Sequence, residues 1–175
     1  MEEKSRNILL SEDKIKARIK ELGAGIEEYY RDKKLYVLSL LRGSFIFTAD
    51  LVRAIDLPVK IGFMTTTSYG NNEESSGKVT IVNDLPDDIR GYDVLVVDDI
   101  IDTGITMKYI LEYVQSKGAA SVKSCSLLDK PERRAVEVTP DFCGFTIPDV
   151  FVVGYGLNYG DYYRNVPYVF NWEEK

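Results

Sequence analysis

The segment at residues 94–107, VLVVDDIIDTGITM, constrains the fold more than any other part of the chain. It opens with four apolar residues, three of them valine, which is typical of a short strand buried in a parallel sheet. Three carboxylates follow, at Asp98, Asp99 and Asp102. Apolar residues then recur at helical spacing up to Gly118, which predicts a tight turn and a helix. The acids and hydroxyls therefore fall at the carboxyl end of a strand, where open α/β sheets bind ligands.

The start of this helix suits a phosphate group, because its N–H groups and the positive end of its dipole attract anions. Carboxylates repel phosphate unless they bind something else, such as sugar hydroxyls, a metal ion or a proton. A ligand with a phosphate, a ribose diol and bound magnesium would use all of these groups. A strand that ends in two acids also fits a Walker-B-like metal site or a solvated strand end.

Composition narrows the classes of protein that remain. The 175 residues are enough for a single domain with a substantial core. The net charge of −6 argues against nucleic acid as a partner. The chain has no histidine, which excludes His-based triads and leaves Asp, Glu, Lys, Tyr or Cys as general acid or base. Without a signal peptide or an apolar run of membrane-spanning length, we expect a cytoplasmic protein with no membrane partner.

Strands and helices are predicted to alternate along the chain, which indicates a mostly parallel sheet covered on both faces. Strands are expected at 35–41, 59–67, 79–83, 94–97, 122–128 and 151–153. Ser11 is the expected N-cap of a first helix. The buried face of that helix is predicted to carry Ile15, Ile19, Leu22 and Ile26. A second helix is predicted with Phe45, Ala49, Val52 and Ile55 on its buried face. Residues 71–78 are polar and predict a flexible loop.

The segment at 94–107 resembles the phosphoribosyl-diphosphate (PRPP) binding motif of the phosphoribosyltransferases: two adjacent acids, two apolar residues, then Asp-Thr/Ser-Gly-x-Thr. Four further stretches resemble the hypoxanthine-guanine branch of that family. They are SLLRGSFIFTADL at 39–51, TSYG at 67–70, SLLDK at 126–130 and DFCGFTIPDVFVVGYGLNYGDYYRNVPY at 141–168.

This resemblance implies the α/β, type I phosphoribosyltransferase fold, with a central mostly parallel sheet flanked by helices. It implies one domain over residues 1–175, with a small hood from the N-terminal segment and about 130–175. The flexible lid loop would cover about 68–78. A homodimer or homotetramer is the implied assembly.

The implied reaction is transfer of the 5-phosphoribosyl group from PRPP to N9 of a 6-oxopurine, hypoxanthine or guanine, with Mg²⁺ as cofactor. The products would be IMP or GMP and pyrophosphate, and the role purine salvage. Asp102 would be the catalytic base that handles the purine N7 proton. A xanthine-preferring transferase and a PRPP-sensing regulatory protein remain as alternatives.

The resemblance also implies roles for the other site residues. PRPP and nucleotide binding is implied for Arg42, Gly43, Ser68, Tyr69, Asp98, Asp99, Thr103, Gly104, Ile105, Thr106 and Arg164. Lys130 would donate to the purine 6-oxygen, Phe151 would stack on the base, and Val152 would lie at the 2-position. Magnesium ligands are implied at Asp98, Asp99 and Asn158. Many relatives have aspartate where this chain has Asn158, whose amide oxygen can bind a hard cation without contributing charge.

Overall fold

The structure is a computed structural model that describes residues 7–68 and 79–173. Within these residues the chain forms nine strands, three α-helices and a short 3-10 helix. Their order is β1 (Asn7–Leu10), α1 (Glu12–Tyr30), β2 (Leu35–Leu41), α2 (Phe45–Arg53), β3 (Lys60–Ser68), β4 (Val79–Asn83), β5 (Asp93–Ile101), α3 (Ile105–Ser116), β6 (Ser121–Asp129), the 3-10 helix (Pro131–Arg133), β7 (Phe142–Thr146), β8 (Val152–Val153) and β9 (Val169–Asn171).

Six of the strands form the central sheet, in the order β4–β3–β2–β5–β6–β7. Neighbouring strands are parallel, except that β3 and β4 pair antiparallel. The predicted α/β class and mostly parallel sheet are therefore confirmed. Strand β5 continues to Ile101, so Asp98 and Asp99 lie within the last part of the strand and not beyond its end.

Helices cover both faces of this sheet. The core on one face includes Leu95 and Val97 of β5 together with residues of α1 and α2. The core on the other face includes Val94 and Val96 together with residues of α3. This alternation explains the uninterrupted apolar run of β5, because a strand buried on both faces has no polar side to show to water.

The predicted buried face of α2 is half right: Val52 packs against the core and Ile55, just beyond the end of the helix, is buried, whereas the other two residues are not. Phe45, with 44% of its surface exposed, and Ala49 both face outward. The residues that the helix buries are Phe47, Thr48 and Leu51. Hydrogen bonds between polar side chains explain this orientation. Ser39 of β2 forms hydrogen bonds of 2.8 Å with the hydroxyls of Ser44 and Thr48, so the side of α2 that carries Thr48 packs on the sheet.

A second, three-stranded sheet in the order β1–β9–β8 joins strands from near the two ends of the chain. Both of its pairings are antiparallel. The Tyr155 hydroxyl, in the segment between β8 and β9, donates to the Asp50 carboxylate of α2 at 2.5 Å and so holds the C-terminal part of the chain against the main body. Among the described residues, no helix has the length and apolar character needed to cross a membrane.

Candidate active site

The predicted site residues collect where β2, β5 and β6 end. These three strands are adjacent and parallel, so their carboxyl ends share one edge of the sheet. Arg42 and Gly43 follow β2, residues 102–106 follow β5, and Lys130 follows β6. The sheet topology therefore brings together motifs that are far apart in the sequence.

Asp98 and Asp99 form a partly buried pair of carboxylates in the last part of β5. Asp98 accepts a hydrogen bond of 2.9 Å from the Asp99 N–H, and Asp99 accepts one of 2.9 Å from the Ile100 N–H. Burial raises the pKa of Asp98 well above its usual value, and the neighbouring Asp99 charge raises it further. Burial also raises the pKa of Asp99, against the lowering effects of its hydrogen bonds and of the Arg164 guanidinium. A cation or a pair of hydroxyl donors would stabilise both carboxylates as anions.

The turn after β2 lies directly against this pair. The Leu41–Arg42 peptide bond is cis and does not involve proline. At the next residue, Gly43, an added Cβ would lie 2.6 Å from Cγ of Asp99. Position 43 therefore has room only for glycine while Asp99 keeps its place.

Buried hydroxyl groups form hydrogen bonds beside the turn that follows β2. Besides its bond to Ser39, the Ser44 hydroxyl donates to the carbonyl oxygen of Leu40 at 2.6 Å. Ser39, Ser44 and Thr48 are each almost fully buried. Sequence analysis missed this group, although Ser44 and Thr48 share one helical face at i, i+4, which is a signal that could have revealed it.

The segment after β8 completes the same region. Nη1 of Arg164 donates to the carbonyl oxygen of Gly156 at 2.5 Å. Gly156 in turn lies so close to the Gly43 carbonyl oxygen that no side chain would fit between them. Asn158 donates through its Nδ2 to the Gly160 carbonyl in its own loop, which leaves its amide oxygen as the atom able to bind a cation.

The turn after β5 has the features of an anion site. Gly104 has a φ of +82°, a conformation that favours glycine, and it precedes the first residue of α3. Gly104 is the N-cap residue and has no side chain to cap the helix. The Thr103 hydroxyl accepts a weak bond of 3.4 Å from the Ile105 N–H. The hydroxyls of Thr103 and Thr106 and the N–H groups of the first helical turn therefore offer donors to one anion.

Two arginines that sequence analysis missed hold Asp102. Nε of Arg133 donates to Oδ1 of Asp102 at 3.1 Å. Arg134 donates through Nη1 to the Asp102 carbonyl at 2.8 Å, and its Nη2 pairs with the Asp129 carboxylate. The backbone and the side chain of Asp102 thus have separate guanidinium partners. Arg133 and Arg134 are 31 and 32 residues from Asp102 in the sequence, so no local pattern predicts these contacts.

Lys130 is buried, with 6% of its surface exposed. Its N–H donates to the Ile101 carbonyl at 2.9 Å, and its Nζ lies 3.8 Å from Oδ1 of Asp149. Phe151 is 53% exposed, with its ring edge-to-face against Tyr159 at 6.2 Å between centroids. Val152 is buried in β8.

The residues predicted for the lid lie at the edge of the described part of the chain or outside it. Ser68 is the last residue of β3, and Tyr69 lies outside the described residues. The roles of Ser68 and Tyr69 stay predictions.

In the described ranges 7–68 and 79–173, no group of three or more His, Cys, Asp or Glu side chains could hold a metal ion. The acid pair at Asp98 and Asp99 still fits a magnesium ion, because Mg²⁺ in proteins is usually bound by one or two carboxylates and completes its shell with substrate oxygens and water.

Comparison with known proteins agrees with this geometry. A family model described as the phosphoribosyl transferase domain matches residues 5–160. That match covers far more than half of the chain. The chain therefore belongs to the phosphoribosyl transferase family.

Its relatives within the family narrow the class further. The chain is 50% identical over 172 residues to the hypoxanthine-guanine phosphoribosyltransferase of Aquifex aeolicus, covering 98% of this chain and 97% of the relative. It is also 50% identical over 166 residues to the hypoxanthine phosphoribosyltransferase of Haemophilus influenzae, with 93% of each covered. The crystal structure of a hypoxanthine phosphoribosyltransferase from Staphylococcus aureus superposes with a TM-score of 0.92 at 42% identity, over 95% of this chain and 91% of that one.

Proposed function

We propose that this chain transfers the 5-phosphoribosyl group of PRPP to N9 of hypoxanthine or guanine, giving IMP or GMP and pyrophosphate in purine salvage. One observation carries the proposal: a buried lysine, Lys130, lies at the same sheet edge as the acid pair and the anion-binding turn. The curated relatives at 50% identity are named for this activity.

Three parts of the site bind PRPP in this proposal. The turn at 103–106 holds the 5′-phosphate through backbone N–H groups and threonine hydroxyls. Asp98 and Asp99 accept the ribose 2′- and 3′-hydroxyls, directly or through a metal ion. Arg42, Gly43 and Arg164 bind the pyrophosphate, and the contact between the turn after β2 and Asp99 supports this division of roles.

Magnesium is the proposed cofactor, held by Asp98 and Asp99 with Asn158 as a neutral ligand. When bound, it supplies charge neutralisation for the pyrophosphate that leaves. Substrate binding and proton transfer are assigned to the chain's own side chains. Arg164 adds positive charge on the same side of the site, as its effect on the pKa of Asp99 indicates.

The base is recognised by Lys130 and Phe151. An ammonium group has donors and no acceptor, so it favours a 6-oxo group and conflicts with the 6-amino group of adenine. Phe151, with half of its surface exposed, stacks on the base, and the backbone at Val152 lies at the 2-position. As N9 attacks C1′ and the bond to pyrophosphate breaks, Asp102 accepts the N7 proton or stabilises the charge that develops on the base.

The wider organisation is part of the same proposal. The chain is a single domain whose hood comes from the N-terminal segment and about 130–175, supported by the sheet that joins β1 to β8 and β9. A lid at about 68–78 closes over the reaction centre and excludes water.

The protein works in the cytoplasm as a homodimer or homotetramer, and exposed apolar side chains such as Phe63 and Val82 offer surface for contacts between subunits. A xanthine-preferring enzyme and a PRPP-sensing regulator are not favoured, because curated relatives at 44–50% identity are named hypoxanthine or hypoxanthine-guanine phosphoribosyltransferases.

The substitution Lys130→Ala tests the proposal. Initial rates of IMP formation are measured with hypoxanthine varied at saturating PRPP, and with PRPP varied at saturating hypoxanthine. Because Lys130 is assigned to the base and not to PRPP, we expect the KM for hypoxanthine to rise much more than the KM for PRPP. An equal rise in both KM values would contradict the assignment of Lys130.

A further inference from the structure

Two charged side chains, Arg133 and Asp149, connect Lys130, the residue assigned to the purine 6-oxygen, with Asp102, the residue assigned to N7. Asp102 accepts a hydrogen bond of 3.1 Å from Nε of Arg133. Nη1 of Arg133 also lies 3.7 Å from Oδ2 of Asp149. The other oxygen of Asp149 lies 3.8 Å from Nζ of Lys130. The series Asp102–Arg133–Asp149–Lys130, here called the charge bridge, therefore alternates anion and cation.

Lys130 is the member of the charge bridge that most needs a partner. Its side chain is 8% exposed, whereas that of Asp149 is 45% exposed. An ammonium group taken out of water is costly unless an anion compensates its charge. Asp149 supplies that anion at 3.8 Å, which is beyond hydrogen-bond distance. It therefore compensates the charge of Lys130 without occupying one of the ammonium donors.

Arg133 contacts both acids of the charge bridge, and its contact with Asp102 is the shorter one. Its contact with Asp102 is a hydrogen bond, whereas its contact with Asp149 is a longer electrostatic one. Its own N–H donates to the Lys130 carbonyl at 3.1 Å, so the 3-10 turn holds Arg133 at a set distance from Lys130. A guanidinium can serve both carboxylates because its donors are rigidly arranged in one plane.

We propose, on the basis of the function proposed above, that Asp149 and Arg133 are positioning residues for the purine. Asp149 compensates the charge of the Lys130 ammonium and keeps it directed at the 6-oxygen. Arg133 holds the Asp102 carboxylate within reach of N7 and links it to Asp149. Both residues act through their neighbours, so their substitution affects base binding and catalysis while PRPP binding is retained.

The two positions have different expected kinetic effects. Asp149→Asn keeps the shape of the side chain and removes its charge, so we expect the KM for hypoxanthine to rise roughly ten- to a hundredfold, the range that displacement of a positioned group produces. The KM for PRPP stays near the wild-type value. Asp149→Glu restores the charge and recovers most of the loss. Arg133→Gln frees the Asp102 side chain, so it lowers kcat with little change in either KM.

Glu132→Gln is the matched control. Glu132 is an exposed carboxylate on the 3-10 turn that carries Arg133, and the substitution converts it to an amide. It therefore changes the net charge by the same amount as Asp149→Asn. We expect wild-type kinetics from this control. The double variant of Asp149→Asn and Arg133→Gln is expected to lose less than the product of the two single losses, because both changes break one connected set of contacts.

The experiment measures kcat and both KM values for all variants, with thermal melting as a check on folding. The proposal is overturned if Asp149→Asn leaves the KM for hypoxanthine unchanged, raises both KM values equally, or matches Glu132→Gln. If Asp149→Asn does not fold, the half-exposed Arg133 decides, and an unchanged kcat in Arg133→Gln overturns the proposal. In each of these cases an active wild-type enzyme leaves the proposed function standing, whereas a wild-type chain that converts no purine overturns both.

Discussion

Replacing Gly43 by alanine is expected to weaken PRPP binding severely without unfolding the chain. A Cβ at this position would overlap Oδ2 of Asp99 and lie 2.6 Å from its Cγ. Non-bonded carbon atoms normally stand ~3.5–4.0 Å apart, and the Oδ2 contact is closer still, so the carboxyl group or the turn must move by more than ~1 Å. Asp99 cannot retreat without cost, because it accepts a hydrogen bond from the Ile100 N–H at 2.9 Å.

The size of the effect follows from that displacement. Moving a positioned group by about 1 Å can cost about a hundredfold in rate, so we expect kcat/KM for PRPP to fall by about that factor. Initial rates of IMP formation with PRPP varied at saturating hypoxanthine and Mg²⁺ measure it directly. The KM for hypoxanthine is expected to change far less, because Gly43 lies on the PRPP side of the site.

Gly25→Ala is the matched control for this prediction. Gly25 lies in α1, and in the described part of the chain no atom outside the helix comes within 4 Å of an added Cβ. We expect wild-type kinetics and a gain in stability of roughly 0.5–1 kcal/mol, because alanine restricts the unfolded chain more than glycine does. A Gly43→Ala enzyme with wild-type kcat/KM for PRPP would refute the packing of this turn against Asp99 in the working enzyme.

Two further substitutions test the base at N7 and the support beneath the turn. Asp102→Asn should lower kcat by roughly 10²–10⁴-fold, the usual contribution of a general base. PRPP binding, measured by calorimetry, should persist, and a nearly unchanged kcat would argue against the role of Asp102. Ser44→Ala removes a buried hydroxyl bonded to Ser39 and Leu40. It should lower the free energy of unfolding by about 1–3 kcal/mol, and a urea midpoint equal to that of wild type would contradict this reasoning.

The parts of the fold that could be predicted have strong local signals. Ser11 was expected to cap α1, and its side chain accepts a bond from the Lys14 N–H at 3.3 Å. The predicted strand at 35–41 matches β2 in the structure. Apolar runs and caps depend on neighbouring residues alone, so sequence suffices to locate them.

The features that could not be predicted depend on distant partners. The start of α2 is oriented by Ser39 on another element, so hydrophobic periodicity alone misplaced Phe45 and Ala49, although it placed Val52 and Ile55 correctly. Strand β7 was not among the predicted strands, because it is only five residues long, has Gly144 at its centre and forms by pairing with β6. Arg133 and Asp149 had no assigned role, since their partners in the charge bridge come from separate segments.

The central claim is that this site accepts 6-oxopurines. Nucleotide formation from PRPP and Mg²⁺ should be measured in parallel with hypoxanthine, guanine, xanthine, adenine and uracil. We expect conversion of hypoxanthine and guanine and none of adenine, because the buried Lys130 offers only donors to the 6-position. We also expect none of uracil, because a pyrimidine has no N7 for Asp102. Conversion of adenine or uracil, or tight PRPP binding with no conversion of any base, would contradict the claim.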